Sequence, residues 1–247
     1  MSTGFIYIVN TVTKDYSQKG FSNVPTQYDD RLYFGPCKVS MRPKVNRGDY
    51  VFGVSPAKTH PRRIVFIFHV EECITFGEAY KRFSDLRGPA GPIHVKPKKG
   101  EGSYPYSSYE HIPGSMHRKS WESDLAPRER DAFLVSSPRS GDLGCWLGEF
   151  GPVVDGEILA FFKTCSVHGF TGHLSDNNTG GSKRNPIAYG GLYTGLHLET
   201  NKPEALVSLC EAQMVGKNLN LVRVPVPEHR ALQRSRCGNR KPRRNCR

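Results

Sequence analysis

The sequence has no run of consecutive apolar residues longer than five, Ile64–Phe68 being one of them. A membrane-crossing helix needs about 20, so no membrane partner is expected. The start, MSTGFIYIVN, lacks a basic segment followed by an apolar stretch and a small-residue cleavage site; it reads as a first strand rather than a leader. CxxC pairs are also missing. The seven cysteines (37, 73, 145, 165, 210, 237 and 246) are odd in number and scattered. That argues against a disulfide framework or a zinc site and suits free thiols in a reducing cytoplasm. Neither GxGxxG nor GxxxxGK[ST] opens a helix, which disfavours dinucleotide and P-loop chemistry. No internal repeat recurs at periods of about 20 to 50 residues.

Negative charge is scarce. Against 35 Lys+Arg stand 23 Asp+Glu, a net charge of +12 over 247 residues. Residues 228–247 hold eight basic residues and one acidic residue, a net +7, with almost no apolar content. This stretch is expected to be a disordered basic tail that binds polyanions through counterion release. The preceding 227 residues, net +5, are read as one domain.

Within it the pattern predicts strands at 5–10, 31–34, 50–55, 64–71, 131–136, 158–163 and 219–224. A helix is predicted from Thr75, whose spacing to Glu78 has the capping-box form, with Phe76, Ala79, Tyr80 and Phe83 at helical intervals. A second helix, 202–214, carries Pro203 at its first position. Residues 87–120 form a long insertion loop rich in Gly, Pro, Lys, Ser and Tyr. The class is α+β: a strongly bent mixed sheet or small barrel flanked by two or three helices, with long loops.

The most informative block is DDRLYFGPCKVSMRPKVNRGDYVFGVSP, residues 29–56. It mixes cations (Arg31, Lys38, Arg42, Lys44, Arg47) with rings (Tyr33, Phe34, Tyr50, Phe52), a thiol and a Gly-Asp turn entering a strand. Nucleic-acid sites need such a mixture: cations for phosphates, flat rings for bases. Arg62 and Arg63 precede the next strand. Trp146 sits between Gly144 and Gly148, where a flat ligand can approach closely, and Trp121 lies among His117, Arg118 and Lys119. The expected nucleic-acid set is therefore Arg31, Tyr33, Lys38, Arg42, Lys44, Tyr50, Arg62, Arg63, Trp121 and Trp146. Tyr33, Tyr50 and Trp146 are expected to line one pocket.

For catalysis, Cys37 beside Lys38 and Arg42, and Asp49, are the candidate residues. His168, His173 and Asp176 read as a polar loop rather than a metal set, and His69 as a buried imidazole inside a strand. No metal and no cofactor are expected.

The run from Asp30 to Tyr80 resembles the second of the nucleotide-modification-associated domain families. The resemblance rests on Cys37, Lys38, Arg42 and Pro43, on Gly48-Asp49 and Gly53, and on Arg62-Arg63 before a long strand. The Gly-Asp turn is also similar to that of the PUA-like folds (EVE, ASCH and YTH domains), bent barrels that hold a flipped or modified base. These resemblances imply a PUA-like barrel and a partner that is nucleic acid, DNA rather than RNA, in the setting of DNA modification or phage defence. Three functions follow: a module binding nucleic acid or a modified base, an enzyme acting on a nucleotide or DNA base, or an interaction subunit with a protein partner or a second copy of itself.

Overall fold

A computed structural model describes residues 2–9, 11–16, 24–35, 41–56, 59–89, 91–98, 109–114, 132–138, 144, 146–164, 196–198 and 202–214. The segments 36–40, 115–131 and 165–195, the expected strand 219–224 and the tail 228–247 lie outside them.

The elements are β1 (Gly4–Ile8), β2 (Thr26–Tyr28), β3 (Arg31–Phe34), β4 (Tyr50–Val54), β5 (Ile64–Ile74), α1 (Phe76–Arg82), β6 (Val95–Pro97), β7 (Tyr109–His111), β8 (Phe133–Ser136), α2 (Gly156–Thr164), β9 (Leu196–Leu198) and α3 (Lys202–Met214). Seven strands form one mixed sheet in the order β2-β3-β8-β5-β4-β1-β9, with β1 and β4 its parallel pair. No helix among the described residues is long and apolar enough to cross a membrane.

β5 bends the sheet. Its first half, through His69, pairs with β4, and its second half pairs with β8. The register slips between Val70 and Glu72, and such a bulge increases local bend and twist. Along the first half, Gly144 N–H and Leu147 N–H donate to the carbonyls of Ile67 and Val65, so the strand is covered on both edges. The strand order ends at β2 and β9 without closing. Among the described residues this is an open bent sheet, and the barrel alternative is corrected to that form. Closure requires the first and last strands to exchange backbone hydrogen bonds.

Alternation along the strands sorts the side chains into three clusters. One face, here the inner one, gathers Phe5, Tyr7, Leu32, Phe34, Val51, Phe66, Phe68, Leu134 and Trp146. On the outer face, α2 and α3 cover Ile6, Ile8, Phe52, Val54, Ile64 and Ile67. Farther along that face, α1 and the β6–β7 ribbon cover Tyr33, Phe133 and Val135. Close approach is built in at two glycines. A Cβ on Gly53 would lie 2.1 Å from the Phe66 ring, and one on Gly151 would lie 1.9 Å from the Ile64 carbonyl oxygen.

Local signals succeeded where they were strong. Thr75 Oγ1 accepts from Glu78 N–H at 3.0 Å and starts α1. The segment 158–163 is corrected from strand to helix: Ile158 and Phe162, one turn apart, bury together beside α3. β2 lies where no strand is predicted: Thr-Gln-Tyr carries no apolar alternation, and pairing with β3 creates the strand. The insertion 87–120 contains a two-stranded ribbon, in which Tyr109 is buried and its hydroxyl accepts from Gly77 N–H at 3.0 Å.

Candidate nucleic-acid interface

The three rings expected to share one pocket do not face one another. Tyr33 is 6 % exposed and packs edge-on against Phe83, under α1. Burial raises its phenol pKa, with Asp29 and Asp30 adding to the rise and Arg31 opposing it. Trp146, also 6 % exposed, lies in the inner-face cluster against Phe66, and its backbone N–H donates to Gln27 Oε1 at 3.1 Å. Tyr50 packs against the cluster that α2 and α3 cover. The shared pocket is corrected for that reason: neighbouring strand positions point to opposite faces of the sheet, and the bend divides the outer face in two.

The cations are equally dispersed. Arg42 is 1 % exposed; its Nη1 donates to the Ala132 carbonyl at 2.5 Å and its guanidinium sits 4.7 Å from the centre of the Phe76 ring. It ties the start of β8 to α1, and the expected phosphate contact is corrected, because the group is not presented at the surface. Arg63 donates to the Gly151 carbonyl at 2.7 Å and lies over Tyr16. Arg62, beside it, is half-buried, and burial lowers its pKa. Six residue steps of about 3.3 Å each separate Arg63 from His69, so this pair is about 20 Å from that residue along β5. Arg31 is met by carboxylates, with Nη1 3.0 Å from Glu71 and 3.6 Å from Glu72. Glu72 also holds Arg82 in a bidentate pair. Each of the Arg31 ion pairs is partly exposed and monodentate, and pairs of that kind contribute little. Arg31→Ala is expected to change unfolding free energy by less than about 1 kcal/mol, which urea titration measures. Cys37, Lys38 and Trp121 lie outside the described residues.

Asp49 is a structural carboxylate. It is 3 % exposed; Oδ1 accepts from Thr3 N–H at 2.9 Å and Oδ2 from Asn46 N–H at 2.7 Å. Those bonds close the 46–49 turn and clamp the start of β1. The catalytic expectation for Asp49 is corrected on this ground: both oxygens already accept from the backbone, in the interior.

The structure does assemble one group of chemically capable side chains, at the β4–β5 end of the outer face. Tyr50 and His69 are cross-strand partners, with ring centroids 4.6 Å apart. Tyr50 also lies parallel to Phe52, at 6.0 Å and 18°. Ser137 N–H donates to the His69 carbonyl, and Ser137 Oγ is 2.8 Å from His69 Nδ1. All three residues are partly exposed. Burial raises the Tyr50 phenol pKa, assisted by Glu204 and Glu211 on α3.

Ahead of Tyr50, exposed Lys44 ends the short 42–44 helical turn and exposed Arg47 lies in the 46–49 turn. The 46–49 turn is pinned to β5 next to His69, because Gly48 N–H donates to the Val70 carbonyl at 2.8 Å and Val70 N–H to that of Asp49 at 2.9 Å. Of the expected set, Lys44 and Tyr50 therefore flank the 46–49 turn, with Arg47 within that turn and His69, bonded to Ser137, beside Tyr50. His69 was legible only as the one polar residue in IVFIFHV, and Ser137 carried no sequence signal.

Comparison with protein-family models, with curated proteins and with solved structures returns no match to this chain.

Proposed function

We propose that the protein binds nucleic acid at this corner, with a base lying against Tyr50 and His69 and the adjoining phosphates meeting Lys44 and Arg47. The supporting observation is the partly exposed Tyr50 ring, held by Phe52 and His69 beside turns that carry two exposed cations. A ring already fixed in orientation loses little conformational freedom on binding. Base–aromatic stacking contributes about 1–3 kcal/mol per base and is tolerant of sequence. A net charge of +12 favours a polyanionic partner. The modification- and defence-associated role, and recognition of a modified base, belong to the same proposal through the family resemblance.

Tyr50→Leu is expected to weaken binding of a fluorescent single-stranded oligonucleotide by roughly 5- to 150-fold. Lys44→Ala with Arg47→Ala should flatten the salt dependence by about two phosphate contacts. Anisotropy titrations at two salt concentrations measure both. Unchanged affinity in a folded Tyr50→Leu protein would overturn the proposal.

A second reading, an enzyme acting on the base, draws on the 2.8 Å approach of Ser137 Oγ to His69 Nδ1. A hydroxyl within reach of an imidazole is half of a nucleophile–base arrangement. Under this reading Ser137→Ala stops turnover while retaining binding, and mass spectrometry of incubated nucleosides reports the product. An unaltered nucleoside pool with the intact protein would favour binding alone.

A further inference from the structure

Phosphate and base meet opposite electrostatics at this corner. On the turn side stand Lys44 and Arg47. On the α3 side stand Glu204 and Glu211, both exposed and seven residues apart, two turns along one helix face. Glu204 is held close to Tyr50 through the chain: Ser2 Oγ donates to its carboxylate, and the carbonyl of the next residue, Thr3, accepts from Tyr50 N–H at 2.9 Å. Lys202, two positions before Glu204, points to a different side of the helix, since residues two apart do not face each other. Burial raises the Tyr50 phenol pKa most, and both carboxylates add to the rise.

We infer that the Tyr50–Glu204–Glu211 corner selects a planar cation, namely a nucleobase carrying delocalised positive charge from N-methylation, over its neutral parent. The inference rests on the base-binding reading and names the substrate class of that site. A neutral base gains only stacking and hydrophobic contact from the Tyr50 ring. A base methylated on a ring nitrogen keeps those contacts and adds attraction to the ring's negative face. It also brings positive charge toward two carboxylates. The same carboxylates disfavour a phosphate on that side, which leaves the phosphate to Lys44 and Arg47 and orients the nucleotide. Tyr50, a phenol and therefore neutral at physiological pH, offers a cation an aromatic ring without placing a third negative charge in the site.

The test uses the full chain and two probes with the same phosphate, 7-methylguanosine 5′-monophosphate and guanosine 5′-monophosphate. Calorimetry is run at mildly acidic pH, where the methylated base keeps its positive charge. Wild type should favour the methylated probe by about tenfold or more. In the Glu204→Gln, Glu211→Gln double variant the preference should shrink to about threefold or less. Both glutamates are exposed, so the variant is expected to fold, and circular dichroism verifies this. Equal affinity for the two probes, lost together in Tyr50→Leu, would overturn the selection of charge and leave base binding standing. Binding indifferent to Tyr50, or no binding of either probe, would overturn both.

Discussion

Replacing Arg42 with alanine is expected to lower the melting temperature by roughly 10–15 °C, the shift that about 3–5 kcal/mol produces in a protein of this size. The guanidinium is 1 % exposed and is shared between the Ala132 carbonyl and the Phe76 ring. A hydrogen bond to a charged group contributes about 1.5–3 kcal/mol, and a desolvated cation–π contact about 2. Truncation removes both, strands the Ala132 carbonyl and leaves a cavity between β8 and α1. Arg42→Lys should recover only part, because a single ammonium cannot keep the planar group over Phe76 while reaching the same carbonyl. Scanning calorimetry measures the shift. A melting temperature within about 2 °C of wild type would contradict this account and return Arg42 to the surface role that its neighbours in sequence suggest.

Asp49→Ala is expected to cost about 3–5 kcal/mol, because two charge-assisted bonds of about 1.5–3 kcal/mol each are lost at once. Thr3 N–H and Asn46 N–H are left without their acceptor. Asp49→Asn keeps one acceptor oxygen and turns an amide group toward the other donor, so it should cost roughly half as much. The loss is local before it is global. β1 pairs with β4 from Gly4 onward, and Tyr50 N–H donates to the Thr3 carbonyl. Amide exchange should therefore accelerate first at Thr3, Asn46 and Tyr50. Acceleration confined to other strands, or an unfolding free energy unchanged in Asp49→Ala, would refute the clamp. Any accompanying fall in nucleic-acid affinity would then report the loosening of Tyr50 rather than chemistry at Asp49.

How much of this was legible beforehand depended on whether the signal was local. β4, the first part of β5 and α3 announced themselves through alternation, turn residues and a leading proline, and α1 through its capping threonine. The segment 158–163 was ambiguous, because a short apolar run suits a buried strand and a buried helix equally well. β2 had no signal of its own. For the candidate site, residue types were informative and positions were not. Tyr33, Tyr50, Arg42 and Asp49 stand within 17 residues of one another, yet they end in an apolar layer under α1, a half-open corner, a buried tie and a backbone clamp.

Composition and spacing alone determined that the chain is basic, free of membrane-length apolar runs, mixed in secondary structure, and equipped with rings and cations in its first third. Only the tertiary structure decided which of those groups reach solvent together. A strand sends alternate side chains to opposite faces, and a bulge in β5 divides one face between two helical covers. His69, which reads as core, therefore reaches the surface beside Tyr50, while Arg42, which reads as surface, is buried.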